Sequence, residues 1–572
     1  MITQLEIIDF NKVFKDENSE DYLKKIDSIP KKLLVDIASY FVSANPDNNL
    51  VKDYKYFLSK LFGKENNNLA NEINDRIVQY ENEYSKTVGI LNPRTSLKLF
   101  ETVLAQNQEE IEIDNKDLEI LIFKIYLALN EQLNKNDNLI IESVKKINQY
   151  PEFICLIIGM SLPTSDISNY NLKSVFIGQV LKAIFLFEFL SKQDSTQKLL
   201  EDFYQKFEVT EYQGFLKKIF PVAFSAISSQ KKEGAITFVV EKNDEFKSNV
   251  EFLDKLTVNN IDNIDNDIDY LNLRANPLYK MDETNYRIIS PLFAIEKIFN
   301  GLYFFLKEIN DDYDKASKIN LRQLITFEFS EKYLLYKIID RTYPKKYFKL
   351  AGEQMKTPGA PDYYIRNGNK IFLFESKDIL IKADIKESYD FEKYEKALKE
   401  KLYYESNGKK ESPKAVRQLT NFAKSLLNGD FKEDENYKPN SIKIYPIILL
   451  HNRQLDILGL NNLINIWFEI EKNELEKTRL STKNLRRPTI MHIDSLLVMH
   501  EQLASGKYQL DKLLDEYQFW INETRLKAKK FKTEIEQKQF VQDQLVSFNM
   551  FFDIKYGWTL PSLFEEKGIS IL

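Results

Sequence analysis

The sequence contains very few of the residues that form disulfides or bind zinc. In 572 residues there is one cysteine, Cys155, and there are three histidines, His451, His492 and His500. A single cysteine excludes a disulfide within the chain and a cysteine-based zinc site. His492 and His500 are eight residues apart, a spacing that is wider than that of histidine ligands on one helix, so we expect no histidine-based zinc site.

Targeting and membrane signals are also missing. The first residues, MITQLEIIDFNKVF, lack a basic segment followed by an apolar stretch, so they predict no secretory signal. The most apolar run, SVFIGQVLKAIFLFEFL, contains Gln179, Lys182 and Glu188. These residues indicate a buried helix rather than a membrane span of about 20 apolar residues. We therefore expect a cytoplasmic protein with no membrane partner.

Nucleotide-binding and DNA-binding signatures are not visible. Gly63-Lys64 and Gly408-Lys409 both lack the upstream glycine of a phosphate-binding loop, so the chain alone is not expected to be an ATP-driven translocating enzyme. There is no zinc finger or obvious helix-turn-helix. The formal net charge of -6 is small for this length, so a nucleic-acid site would have to be a local basic patch.

Apolar and aromatic residues are plentiful. They make up 43% and 13% of the chain, with 40 Phe and 31 Tyr, which is enough to build packed cores and argues against global disorder. The length predicts roughly three or four domains.

The patterning predicts an α+β multidomain protein. Up to about residue 230, apolar residues recur at spacings of three and four residues, the period of a helix. We therefore expect a largely helical regulatory or recognition region over residues 1–232. GAITFVVEKN opens a mixed connector over 233–325. Residues 326–520 alternate helices and strands, which predicts a mixed sheet with helices on its faces, an α/β/α domain. Residues 521–572 form a tail with the basic helical stretch TRLKAKKFK.

One predicted hairpin concentrates charged residues at the end of an apolar strand. In APDYYIRNGNKIFLFESKD we expect two strands joined through Asn367-Gly368. Side chains alternate along a strand, so Glu375 and Lys377 follow apolar residues on one face. Asp362, at the start of the first strand, comes within reach of Glu375 if the register is slipped or bulged.

This arrangement predicts a site for a hard divalent cation. Carboxylate oxygens are the ligands that Mg²⁺ and Mn²⁺ prefer, so Asp362 and Glu375 are the candidate metal ligands, with the Ser376 carbonyl as a third oxygen. Lys377 is expected to orient or deprotonate a water beside the metal, and that water can attack a phosphate. These groups suffice for phosphodiester hydrolysis without cysteine or histidine.

The sequence contains Pro361-Asp362, then twelve residues, then Glu375-Ser376-Lys377. This pattern resembles the signature of the PD-(D/E)XK, or restriction-endonuclease-like, nucleases, and the resemblance covers about residues 326–520 of the chain. The resemblance implies an α/β/α nuclease domain with a mixed sheet, and Mg²⁺-dependent cutting of DNA or, less often, RNA. It assigns metal binding to Asp362 and Glu375 and water activation to Lys377.

The same resemblance implies further site residues. Many members carry an acidic residue on the helix before the first core strand, which points to Glu331, with Glu328 as the alternative. One branch has a glutamine followed four residues later by an aromatic, usually Tyr, on the helix after the hairpin. Gln418 and Phe422 resemble this pair, and Lys414, on the same helical face as Gln418, is a candidate phosphate contact.

We therefore expect a Mg²⁺-dependent endonuclease, with DNA favoured over RNA, in bacterial anti-phage defence or restriction. Two alternatives stay open: a DNA repair or recombination nuclease, and an inactive nuclease-fold scaffold that binds nucleic acid or protein. The helical region is a candidate site for a protein partner or activator. Strandedness, specificity, one metal or two, and oligomeric state are left undetermined. TRLKAKKFK and KNLRRPT are candidate phosphate contacts only if they fold beside the site.

Overall fold

The computed structural model describes residues 6–44, 49–84, 86–105, 114–168, 170–228, 234–260, 267–344, 346–408, 410–522, 541 and 544–571. The protein is α+β, as predicted. The helices of eight or more residues in the described part are Lys31–Ser43, Tyr54–Leu61, Asn67–Tyr84, Pro93–Leu104, Asn115–Val144, Glu152–Ser161, Leu172–Leu190, Gln197–Lys206, Tyr212–Ser228, Phe246–Asp254, Asn300–Asp311, Gln323–Leu334, Leu335–Thr342, Phe391–Leu402, Ala415–Asn428, Leu460–Lys477, Ile493–Ala504, Leu510–Asn522 and Phe548–Tyr556.

Among the described residues, the strands form one large mixed sheet and three small ones. In chain order they are β1 (Glu6–Ile7), β2 (Val88–Gly89), β3 (Thr237–Val239), β4 (Leu278–Lys280), β5 (Asn285–Ile288), β6 (Phe348–Ala351), β7 (Tyr363–Asn367), β8 (Lys370–Lys377), β9 (Tyr404–Asn407), β10 (Lys410–Pro413), β11 (Lys443–Leu450) and β12 (Thr489–His492). The large sheet has the order β12-β11-β8-β7-β6. β12, β11 and β8 run parallel, and β7 and β6 complete an antiparallel meander with β8.

The turn of the β7–β8 hairpin differs from the prediction by one residue. Asn367 pairs with Lys370, so the two turn residues are Gly368 and Asn369 rather than Asn367 and Gly368. Gly368 has a φ of +60°, a conformation that favours glycine at the first position of a two-residue turn. Because Tyr363 pairs with Phe374, the register continued by one residue sets Asp362 opposite Glu375 without a slip or bulge.

Helices cover both faces of the large sheet because its strands are apolar on both sides. Phe372 and Phe374 of β8 belong to one core, and Ile371 and Leu373 belong to the other. The first core includes helices Leu335–Thr342 and Ile493–Ala504, and the second includes Ala415–Asn428 and Leu460–Lys477. A central parallel strand with both faces buried reads as a continuous apolar run, which explains the sequence of β11.

The helical N-terminal region packs against the sheet on both faces. Helix Leu172–Leu190 contributes to the first core and helix Glu152–Ser161 to the second. The chain between them crosses the carboxyl edge of the sheet, where Ser165 Oγ donates to the Gln454 carbonyl at 2.7 Å. The first core includes residues from Ile8 to Ile571, and the boundaries near residues 232 and 325 stay predictions.

The apolar helix expected from SVFIGQVLKAIFLFEFL is Leu172–Leu190, and nearly all of its residues are buried. Within the described ranges, no single helix has the length and apolar character needed to cross a membrane. This helix and the adjacent Asp194–Lys206, which is bent from it by 108°, satisfy the length and composition criteria only as a pair.

Candidate active site at the end of β8

The last residues of β8 place an acid and a base side by side. Glu375 is 1% exposed, and its Oε1 accepts a hydrogen bond of 2.6 Å from Lys377 Nζ. Both side chains lie on the sheet face of Ile371 and Leu373, because residues two apart in a strand share a face. The Lys377 side chain is 20% exposed, so the pair lies just below the protein surface.

Asp362 joins the pair from the start of β7. Its Oδ2 accepts a hydrogen bond of 2.7 Å from the Ser376 N–H, the amide between Glu375 and Lys377. Its own carbonyl accepts from the Gly352 N–H at 2.8 Å. A Cβ at Gly352 would lie only 3.2 Å from the Pro361 carbonyl oxygen, so this close approach favours glycine. Gly352 thereby lets the chain after β6 fix the backbone of Asp362.

The helix Ala415–Asn428 brings Gln418 to the same group. Gln418 Nε2 donates to Glu375 Oε2 at 2.9 Å and also contacts the Ala360 carbonyl at 3.3 Å. Lys414 is the N-cap residue of this helix, and its Nζ pairs with Glu405 of β9 at 2.8 Å. Gln418 therefore belongs to the group around Glu375, whereas Lys414 forms its ion pair with the β9–β10 hairpin. Phe422 is buried in the second core.

Glu331 reaches the end of β8 from the helix Gln323–Leu334, which has wide, π-type backbone hydrogen bonding. Its Oε1 accepts a hydrogen bond of 3.0 Å from the Asp378 N–H, one residue beyond the strand. The alternative residue, Glu328, instead pairs with Lys332 at 3.5 Å. The structure thus brings together Asp362, Glu375, Lys377 and Glu331, from three elements.

The carboxylates of this group are poorly solvated and repel one another. Burial is the main cause that raises the pKa of Glu375 to about 8 and the pKa of Glu331 to about 7, and the negative charge of Asp362 adds to both shifts. Burial also raises the pKa of Asp362, although Lys377 opposes this shift. Burial lowers the pKa of Lys377, but the nearby carboxylates, Glu375 foremost, outweigh it and raise that pKa. Because three acids face one base, the group has surplus negative charge whenever the acids are ionised.

The donor atoms fit a hard divalent cation in type. Asp362 and Glu375 supply carboxylate oxygens, and surplus negative charge on buried carboxylates favours cation binding. N–H and C=O of one residue in a strand point to the same side, so the Ser376 carbonyl, like its N–H, faces Asp362. As the side chains stand, Lys377 and Gln418 bond the two Glu375 oxygens. Across the described ranges, no three His, Cys, Asp or Glu side chains are grouped so that they could hold a metal.

Two further residues at this edge were not predicted. The Ser376 hydroxyl lies 2.7 Å from His451 Nε2 on the opposite sheet face from Glu375, and the His451 N–H donates to the Lys377 carbonyl. Burial lowers the pKa of His451 to about 3, so this ring is neutral. The sequence contained a signal for His451 at this edge, because His451 directly follows the apolar run of β11, and the carboxyl ends of parallel strands meet at one edge of a sheet. Asp378, the other residue, directly follows Lys377.

The basic stretch KNLRRPT does not add to this site. Arg486 and Arg487 precede β12, so they lie at the amino ends of the parallel strands, opposite the edge that holds Glu375. Arg486 pairs there with Asp515, and Arg487 with Glu469. The stretch TRLKAKKFK falls outside the described residues.

The chain was compared with protein-family models, with curated proteins and with solved structures, and none of the three comparisons found a match.

Proposed function

We propose that this chain is a metal-dependent endonuclease that hydrolyses phosphodiester bonds of nucleic acid, with DNA favoured over RNA. One observation carries the proposal: the carboxylates of Asp362, Glu375 and Glu331 converge on the ammonium of Lys377 at one strand end. Perturbed acids that surround one base in a recess are typical of catalytic sites. The resemblance of Pro361-Asp362 and Glu375-Ser376-Lys377 to the PD-(D/E)XK signature supports the same chemistry.

In this proposal Asp362, Glu375 and the Ser376 carbonyl hold Mg²⁺ or Mn²⁺. When bound, such an ion polarises the phosphate and offsets the negative charge that develops on its oxygens. In the metal-free group Lys377 keeps its proton, because burial lowers its pKa but the carboxylates around it, Glu375 foremost, outweigh burial and raise it. It therefore contributes a second positive charge next to the phosphate.

Glu331 is the proposed proton acceptor for the attacking water. The Asp378 N–H holds its carboxylate at the end of β8, and its pKa of about 7 suits a general base at neutral pH. This role differs from the sequence-based expectation, in which Lys377 activates the water. The pKa of Lys377 is raised in this arrangement, so Glu331 is the better acceptor.

The direct experiment measures cleavage of plasmid DNA, single-stranded DNA and RNA with Mg²⁺, with Mn²⁺ or with EDTA. The variants are Asp362→Ala and Lys377→Ala. The control is Lys247→Ala, since Glu245-Phe246-Lys247 is another Glu-x-Lys sequence whose lysine is exposed at the start of a helix. We expect cleavage that requires the metal, falls at least about 100-fold in both site variants and persists in the control.

Cleavage that survives Asp362→Ala would contradict the proposed site. Binding without cleavage, unchanged by either site variant, would favour the alternative of a nuclease-fold scaffold. For the biological role we propose anti-phage defence or restriction, by analogy with the family that the motif resembles. A phage-challenge assay tests this role: protection that is lost with Asp362→Ala supports it. Metal-dependent cleavage without protection would favour the repair or recombination alternative.

A further inference from the structure

The rim of the candidate site carries one aromatic side chain that faces solvent. Phe327 lies four residues before Glu331, close to one turn earlier on the same wide helix. Phe327 is 42% exposed, whereas Phe329 of the same helix is buried in the first core. Burial of apolar surface therefore explains why an aromatic residue stands at Phe329, but it does not explain the aromatic residue at Phe327.

A second exposed apolar side chain, Leu380, follows the hydrogen-bond partner of Glu331 along the chain. The chain leaves β8 through Asp378, whose N–H bonds Glu331, and two residues later Leu380 is 54% exposed. The Ile381 N–H and carbonyl both bond the Gln454 side chain, which fixes the path of this segment. Phe327 and Leu380 thus lie close in the chain to Glu331 and to its hydrogen-bond partner Asp378.

Positive charge accompanies these apolar side chains. Lys332 Nζ lies 4.5 Å from the centroid of the Phe327 ring, and the same ammonium pairs with Glu353 at 2.8 Å. Arg322 is exposed at the start of the helix. Burial raises the pKa of Asp378, and the positive charge of Arg322 opposes this shift. Exposed aromatics interleaved with Lys and Arg are typical of surfaces that bind unpaired nucleic-acid strands.

The burial of the carboxylates also bears on the kind of nucleic acid that can reach them. Glu375 is nearly inaccessible and Ser376 is fully buried, whereas the Lys377 side chain is 20% exposed, so a phosphate can approach the group on the side of Lys377. In a duplex the bases are stacked inside and offer no free face to a protein aromatic, whereas an unpaired strand can place a base on such a ring. Phe327, exposed on the helix that carries Glu331, offers that base such a surface.

We propose that the substrate is single-stranded nucleic acid and that Phe327 stacks on an unpaired base next to the phosphate that is cut. The inference rests on the proposed nuclease function, whose site it uses. Phe327 acts by binding a base, so its removal weakens substrate binding and leaves the carboxylates in place.

The test is binding of a fluorescently labelled oligonucleotide, as a single strand and as a duplex, measured by anisotropy in EDTA so that nothing is cut. Phe327→Ala is compared with Phe327→Trp, which keeps a stacking surface. The matched control is Phe519→Ala, because Phe519 is 64% exposed on a helix whose Asp511 contacts Lys370 at the opposite end of β8. Thermal melts confirm that the exposed substitutions leave the fold intact.

We expect the single strand to bind more tightly than the duplex. Phe327→Ala should weaken single-strand binding about tenfold, the size of one base–aromatic stack, whereas Phe327→Trp and Phe519→Ala should bind as the parent chain does. Equal binding by Phe327→Ala and the parent, or a preference for the duplex, would overturn the inference. Absence of cleavage together with Phe327-dependent binding would overturn the nuclease proposal alone, so the two failures are distinguishable.

Discussion

Two buried pairs of a lysine and a carboxylate lie at the carboxyl edge of the large sheet, and they differ in their surroundings. Lys377 and Glu375 meet at 2.6 Å on one face, and Lys182 and Asp494 meet at 3.0 Å on the other. Lys182 comes from helix Leu172–Leu190, and Asp494 lies in the first turn of helix Ile493–Ala504. Gly178, one turn before Lys182, packs directly against the Asp494 carboxylate.

The difference lies in the balance of charge. Burial raises the pKa of Asp494, but His492 and Lys182 outweigh it and hold the pKa well below its usual range. Glu375 shows the reverse, because burial and two further acids raise its pKa to about 8 despite Lys377. The first pair is compensated and holds the N-terminal region against the sheet. Ionisation of its acids gives the second group surplus negative charge, which a cation can neutralise, and this separates a structural pair from a candidate catalytic one.

The largest expected effect is on stability. Lys182→Met leaves Asp494 buried without its cation and should lower the free energy of unfolding by about 3–5 kcal/mol. At pH 5, Glu375→Gln should change it by less than about 1 kcal/mol, since Glu375 is protonated there in the folded state and Lys377 keeps Asp362 and Glu331 as partners. Urea unfolding followed by circular dichroism measures both values.

The double variant Lys182→Met, Asp494→Leu is the control for this prediction. Removing both charges should recover much of the loss, because no uncompensated charge remains. Equal losses from Lys182→Met and Glu375→Gln would show that the two pairs do not differ as described.

The sequence predicts those features of the two pairs and their sheet that depend on residues close together in the chain. Alternation along β8 and the glycine turn were enough to bring Asp362, Glu375 and Lys377 together, and the apolar run of β11 indicated a central strand. The edge strand β6 was missed because FKLA is short and half-buried throughout, so it has no apolar pattern. The Lys182–Asp494 pair was missed because its partners are far apart in sequence and meet only through packing of the N-terminal helix on the sheet.

The second prediction concerns pH. An acid whose pKa is raised on folding, as for Glu375 from 4.5 to about 8, binds more protons in the folded state between these values. Stability therefore falls as pH rises through this window. Glu375→Gln removes this contribution, so its stability relative to the parent should improve from pH 5 to pH 8, by roughly 1–3 kcal/mol. Unfolding free energies of both proteins across this range measure the trend.

Glu331→Gln should show the same trend with a smaller amplitude, because the pKa of Glu331 is raised only to about 7. A stability difference between Glu375→Gln and the parent that stays constant from pH 5 to pH 8 would mean that Glu375 is not held protonated by its surroundings.

The central claim is that Asp362, Glu375 and Glu331 are held partly protonated by burial, and that their ionisation gives the site surplus negative charge that a divalent cation neutralises. Calorimetric titration of Mn²⁺ at pH 7, in two buffers of different ionisation enthalpy, tests it directly. We predict binding that releases protons, since the cation lowers the raised pKa values of these acids, and loss of that binding in Asp362→Asn and Glu375→Gln. No binding to the parent chain, or equal binding to both variants, would contradict the account.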